Sequence, residues 1–167
     1  VIINFARTVL NHIKKIKTEY VKSKHPILPV IKETVAGLTT HQQLQNKTIN
    51  ILPEGDSLDA VFNPLDIQRV LQNLIINAGY VTEEDGKVDV RVIRDNGFLQ
   101  VSITDKGSGI PEDVQGYLFK DTLTTKKDGN GLGLLSCKGI IEENHQGKLW
   151  FETESGKGTT FHFTLPA

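Results

Sequence analysis

Between Val88 and Thr104 the apolar residues fall on every second position, Val88, Val90 and Val92 and then Leu99, Val101 and Ile103, on either side of Asp95-Asn96-Gly97. Strict alternation around an Asn-Gly turn predicts a β-hairpin with one buried face. Segments of helical period bracket it. Upstream, Asp66 to Tyr80 places Ile67, Val70, Leu71, Leu74, Ile75 and Ala78 on one stripe, and downstream Leu132 to Glu143 does the same with Leu134, Leu135, Ile140 and Ile141. Ile27, Val30, Ile31, Val35 and Leu38 give an earlier helix, and Thr48 to Leu52 a short strand. Two closing strands, Lys148 to Thr153 and Thr159 to Leu165, flank Ser155-Gly156-Lys157-Gly158. Hairpins alternating with helices in this order predict an α+β fold, a two-layer sandwich whose mixed, mostly antiparallel sheet carries helices on one face, preceded by an N-terminal helix.

Charge sets the beginning of the chain apart. Val1 to His25 holds six basic side chains against Glu19 alone, a local +5 in a chain of net charge −1. Its apolar residues Ile2, Phe5, Ala6, Leu10, Ile13, Ile16 and Tyr20 lie on one helical stripe, which packs either on its own domain or in an intermolecular helical bundle. Pro26 and Pro29 read as the linker that follows. With 38% apolar and 23% charged residues the remainder suits a soluble globular domain. Near-neutrality excludes the broad field that would select nucleic acid or an anionic membrane. The single cysteine, Cys137, rules out an internal disulfide and, with no paired Cys and His spacing, a zinc site. A reducing, intracellular setting fits. No apolar run approaches the roughly 20 residues of a membrane span. Starting at Val1 and lacking Met, the sequence reads as a segment of a longer chain.

Three groups of residues carry chemistry. Gly107 and Gly109 follow the strand ending at Thr104, and Gly129, Gly131 and Gly133 precede a helix. Such glycines let backbone N–H groups approach a phosphate, or they serve as ordinary turns. Neither cluster has the spacing of a Rossmann or P-loop site. Asp105, at a strand end, can accept from the exocyclic amine of a base or cap a turn. Asn73 and Asn77 lie four apart on one helix face, where an amide oxygen can help hold Mg²⁺ beside substrate phosphates, or simply form the polar edge of the helix.

These features come in one order over about 60 residues, and together they resemble a family. The string Asp66-Ile-Gln-Arg-Val-Leu-Gln-Asn73-Leu-Ile-Ile-Asn77-Ala78 resembles the N box of the histidine-kinase catalytic domain, within the superfamily that includes the gyrase and heat-shock chaperone ATPases. Asp105-Lys-Gly107-Ser-Gly109-Ile-Pro111 and Gly129-Asn-Gly131-Leu-Gly133-Leu134 resemble its two glycine boxes. Leu118-Phe119 and Thr124-Thr125-Lys126 stand in the place of the F box, and Gly156-Lys-Gly158-Thr159-Thr160-Phe161 resembles the closing glycine motif. The likeness runs from Pro26 to Pro166.

The resemblance implies a Bergerat-type ATP-binding fold over residues 26–167, with residues 1–25 as the end of the second helix of a dimerisation and phosphoacceptor module. It implies ATP or ADP with Mg²⁺: Asp105 on the adenine amine, Gly107, Gly109 and Ile110 shaping the base pocket, Asn77 on the metal, and Asn73 on the phosphates or their attacking group. Gly129, Gly131, Leu132, Gly133, Leu134, Lys126 and Thr160 complete the nucleotide contacts, with residues 115–130 as a lid. It further implies a cytoplasmic kinase, homodimeric at full length, which passes the γ-phosphoryl to an upstream histidine and thence to a response-regulator aspartate, with no nucleic-acid or membrane contact by this segment. None of His12, His25, His41, His145 and His162 has the flanking acid usual for the acceptor; they read as structural or solvated, His41 on a helix and His145 as a cation near a helix C-terminus. Tyr80 stands where the N box commonly has Lys, Asp121 and Thr122 interrupt the F box, and Gln146 replaces a Gly. These departures keep open a nucleotide-binding scaffold with little transfer activity, and a gyrase-like or chaperone-like ATPase is a third reading.

Overall fold

The structure is a computed structural model that describes residues 4–11, 21–120 and 132–167. Residues 4–11 form a helix, α1. Then follow β1 (Ser23–Pro26), α2 (Ile27–Leu38), a 3₁₀ turn (Gln42–Leu44), β2 (Thr48–Pro53), β3 (Asp59–Phe62) and α3 (Pro64–Val81). The second half contains β4 (Lys87–Asp95), β5 (Phe98–Asp105), α4 (Glu112–Gln115), α5 (Leu132–Lys138) with a π-helical continuation (Gly139–Asn144), β6 (Leu149–Glu154) and β7 (Gly158–Pro166).

Five strands form one sheet in the order β2-β4-β5-β7-β6, in which only the β2–β4 pair is parallel. The β4–β5 hairpin turns at Asn96 and Gly97, both at positive φ, 48° and 81°, as a two-residue hairpin loop requires. Val88, Val90, Val92, Leu99, Val101, Ile103, Phe161, Phe163 and Leu165 bury one face of the sheet. Against it lie Ile27 and Ile31 of α2 and Ile67, Leu71, Leu74 and Ile75 of α3, all fully buried. This is the two-layer α+β arrangement expected, with helices on one face.

The other face is polar. Alternation turns Ser102, Thr104, Thr160 and His162 to it, and the His162 ring bonds Ser102 Oγ through Nδ1 (2.7 Å) and Glu152 Oε2 through Nε2 (2.8 Å). Trp150 stacks on that ring at 5.0 Å. His162 therefore faces away from Phe161 and Phe163, as its position in the strand dictates.

Pro26 and Pro29 do not mark an open linker. Ser23–Pro26 pairs antiparallel with Asp59–Phe62 as a two-stranded sheet, and both prolines fit the start of α2, where the missing N–H groups are not needed. His41 is not on a regular helix: it precedes the 3₁₀ turn and its Nδ1 accepts from Gln43 N at 3.1 Å. Nor is His145 a cation at a helix end. It is completely buried, Nδ1–H donates to Ile140 O (2.8 Å), and Nε2 accepts from Asn63 N (3.1 Å). Burial pushes its pKa below the usual 6.5, and the backbone N–H of Asn63 demands a neutral ring. Asn63 is itself the N-cap of α3, its side chain accepting from Asp66 N at 3.1 Å.

Candidate nucleotide-binding site

Helical spacing organises the site. Asn73, Asn77 and Val81 follow one another at intervals of four along α3, so they stand in one row on one face. The turn after β5 meets one end of this row: a Cβ placed on Gly107 would lie 2.8 Å from Val81 O, so a side chain there would drive strand and helix apart. The start of α5 meets the other end, because a Cβ on Gly133 would lie 3.3 Å from Asn73 Oδ1. Asn77 sits between the two, so α3 meets the turn after β5 at one end of the row and α5 at the other.

Asp105 ends β5 on the helix-covered face and is 5% exposed. Its Oδ1 accepts from Gly107 N at 2.9 Å and from Thr159 N at 3.3 Å. One oxygen of the carboxylate thus holds the turn, while the other has no donor among the described residues. No fully buried side-chain oxygen or nitrogen lacks a partner among the described residues, so the second oxygen is open to solvent. Burial raises the Asp105 pKa above its ordinary value, opposed by the Gly107 and Thr159 N–H groups. A desolvated carboxylate with a spare, solvent-open oxygen suits an exocyclic amine.

Neighbouring groups stiffen this corner. Gly109 adopts φ +83°, and a Cβ there would lie 2.7 Å from Glu154 O, so β6 closes against the first glycine turn. Ile110 N donates to Thr153 Oγ1 at 2.9 Å, and the Ile110 side chain packs on the core. Phe119 lies against Phe151 at 5.9 Å, with Lys138 Nζ 5.2 Å from its ring centre. The aromatic residue expected in the lid's F box is therefore anchored on the sheet and on α5.

On the metal side, Asn77 is half-buried and its carboxamide makes no hydrogen bond among the described residues. A neutral oxygen donor without a protein partner among the described residues fits Mg²⁺, which takes few protein ligands and keeps its waters and substrate phosphates. No cluster of three or more His, Cys, Asp and Glu is present among the described residues. Asn73 Nδ2 donates to Cys137 Sγ at 3.6 Å. That thiol is buried, its pKa pushed up to about 11 by desolvation, so it is inert.

Thr160 does not join this group. It lies on the polar face of the sheet, its Oγ1 3.0 Å from Thr104 Oγ1. The residue beside Asp105 is Thr159, its partner in the β5–β7 register. The alternation Thr159, Phe161, Phe163 already points Thr159 inward. Leu134 packs half-buried on the core and Leu132 opens α5. Lys126, Gly129 and Gly131, with Lys127, Asp121 and Thr122, lie outside the described residues, as do His12 and most of the N-terminal stripe.

Comparison with known sequences settles the family. The family described as "Histidine kinase-, DNA gyrase B-, and HSP90-like ATPase" matches residues 62–167, a span that contains α3, both glycine segments and β7. The chain belongs to this ATPase family. Its relatives there are histidine kinases. The adaptive-response sensory kinase SasA of Synechococcus elongatus is 32% identical over 145 residues, covering 83% of this chain and 37% of that protein. Sporulation kinase E of Bacillus subtilis is 32% identical over 98% of this chain and 23% of its own length. The chain thus spans well under half of these relatives. Among solved structures, the nucleotide-free catalytic domain of histidine kinase ThkA superimposes with a TM-score of 0.79 at 29% identity, covering 88% of this chain and 96% of that one. ThkA in complex with the response regulator TrrA gives 0.75 at 25% identity, covering 98% of this chain and 48% of that one. The fold is that of histidine-kinase catalytic domains, and the family is this ATPase family.

Proposed function

We propose that this domain binds ATP with Mg²⁺ in the cleft between α3, the end of β5 and the start of α5, and presents the γ-phosphoryl to a histidine on a separate helical module. The observation that carries this reading is the spare, solvent-open Asp105 oxygen together with the unpaired Asn77 carboxamide on the helix row that packs against the turn after β5. Asp105 would accept from the adenine amine, with Gly107, Gly109 and Ile110 keeping its approach flat. Asn77 would hold Mg²⁺, which when bound neutralises phosphate charge and orients the triphosphate. Asn73 would border the phosphates, while Gly129, Gly131 and Gly133 would present backbone N–H groups to them and Lys126 would contact them from the lid. Placement and charge neutralisation are what phosphoryl transfer asks of a protein. In the transfer, an acceptor imidazole nitrogen bonds to the γ-phosphorus as the bridging P–O bond breaks and ADP departs.

In this reading residues 1–25 belong to the dimerisation and phosphoacceptor module of a cytoplasmic homodimer, and the phosphorylated histidine passes its phosphoryl to a response-regulator aspartate. SasA, sporulation kinase E and the ThkA–TrrA complex support that placement by likeness. No helix among the described residues is long and apolar enough to cross a membrane. Tyr80, exposed on α3 where a basic residue is usual, supports a second reading, a nucleotide-binding scaffold with weak transfer. A melting scan with ADP or ATP plus Mg²⁺ tests binding, since a ligand of the folded form raises the midpoint. Transfer of label from ATP to a supplied acceptor helix supports the kinase. Tight binding without label supports the scaffold, and no shift with either nucleotide refutes both.

A further inference from the structure

The row of α3 that lines the cleft extends beyond the residues assigned to the nucleotide. Four positions before Asn73 on the same face stands Arg69. Each step is about 6 Å at the helical rise of 1.5 Å per residue. The landmarks fix the direction: Gly107 abuts Val81 at the purine end and Gly133 abuts Asn73 at the phosphate end. Arg69 lies one turn past Asn73, on the side away from Asp105.

Among the described residues the Arg69 guanidinium makes no ion pair and no hydrogen bond, and the residue is exposed. The chain's other described arginines on the sheet are engaged: Arg91 pairs with Glu54, and Arg94 donates to Ser57 O and Asp59 O. Arg69 stands one turn from Asn73 on the helix row that meets α5, where Asn73 donates to Cys137 Sγ. Arg69, Asn73 and Cys137 therefore share one corner of the cleft, beside the start of α5.

We propose that Arg69 binds the terminal phosphate of the nucleotide and distinguishes a triphosphate from a diphosphate. A purine read at Asp105 and a tail laid along the row toward Asn73 brings the last phosphate, and only that one, to the free guanidinium. Its planar fork of donors matches phosphate oxygens bidentately, as an ammonium does not. This inference rests on the nucleotide site proposed above.

Calorimetry on the chain with Mg²⁺ and either ADP or a non-hydrolysable β,γ-imido ATP analogue separates the two ideas. Arg69→Ala is expected to weaken the analogue about tenfold or more, the loss of a charged hydrogen bond, while ADP affinity stays within about twofold of wild type. Arg69→Lys should recover part of the loss and Arg69→Gln little, and all three should melt like wild type without ligand because the side chain supports no contact. The salt dependence of analogue binding should also shrink in Arg69→Ala. Equal weakening of ADP and analogue, or an unchanged preference between them, overturns the role of Arg69 and leaves the site standing. Failure of the wild-type chain to bind either nucleotide overturns both.

Discussion

Asp105→Asn separates folding from ligand reading within one side chain. In the free protein the ionised carboxylate is desolvated, and its raised pKa means that the folded state binds more protons than the unfolded state above the ordinary value of 3.8. Stability from this group is therefore greatest below that value and is lost as pH rises through the folded pKa. Asparagine carries no charge to desolvate, and its carbonyl oxygen can still accept from Gly107 N and Thr159 N. At neutral pH the free variant should melt at or above the wild-type midpoint. With nucleotide the sign reverses. The amide nitrogen takes the place of the open oxygen and confronts the purine amine donor with a second donor. Losing a charge-assisted bond and stranding that donor costs about 3 kcal/mol, roughly two decades in Kd. At a nucleotide concentration 100 times the wild-type Kd, binding stabilises the wild type by about 2.7 kcal/mol, or about 5–10 °C for a domain of this size. The variant, near half-saturation, should move by less than about 2 °C. Differential scanning fluorimetry with and without ADP reads both effects. A variant that keeps the full ligand shift, or one whose free form loses several degrees, refutes the assignment of the two Asp105 oxygens.

Asn77→Ala should remove about tenfold of the Mg²⁺-dependent part of ATP affinity and leave metal-free ADP binding within twofold, measured by calorimetry with Mg²⁺ and with chelator; equal losses in both would displace Asn77 from the metal. Gly109→Ala forces a side chain into φ +83° and to within 2.7 Å of Glu154 O, so we expect destabilisation of at least about 1–2 kcal/mol in urea titration; an unchanged midpoint would mean β6 is free to withdraw. His145 has its pKa pushed below 6.5 by burial, so the unfolded chain takes up the proton first. Its contribution is complete above pH 6.5 and is lost as pH falls from there toward the folded value, and His145→Gln should flatten the fall in urea midpoint across that range.

How much of this was legible beforehand depends on the range of the interaction. The β4–β5 hairpin is written locally, in strict alternation and an Asn-Gly turn, and the Asn73–Asn77 row follows from helical spacing alone. The β1–β3 pair is not: Ser23-Lys24-His25-Pro26 shows no alternation, and its partner lies more than thirty residues away in sequence. The prolines that begin α2 carry the same punctuation as a linker because the sequence does not reveal what pairs with Ser23–Pro26. His145 ends a helix, which by itself favours a cation, but the N–H of Asn63, 82 residues distant, requires a lone pair instead. Family likeness points to Thr160, whereas simple period two, counted back from Phe161, turns Thr159 toward Asp105. The free guanidinium of Arg69 is likewise a tertiary fact: the sequence places the residue on the row but cannot tell whether an acid elsewhere consumes it.

His145 and His162 also bear on where covalent phosphate can reside. A phosphoramidate forms only at an imidazole nitrogen whose lone pair is accessible, and both nitrogens of each ring are occupied, in His145 by Ile140 and Asn63 and in His162 by Ser102 and Glu152. Modifying His145 would unseat the first turn of α3, and modifying His162 would pull apart the stack on Trp150. In the proposed reading these two rings are thus shielded from stray self-labelling, a built-in fidelity for a domain proposed to phosphorylate a different imidazole.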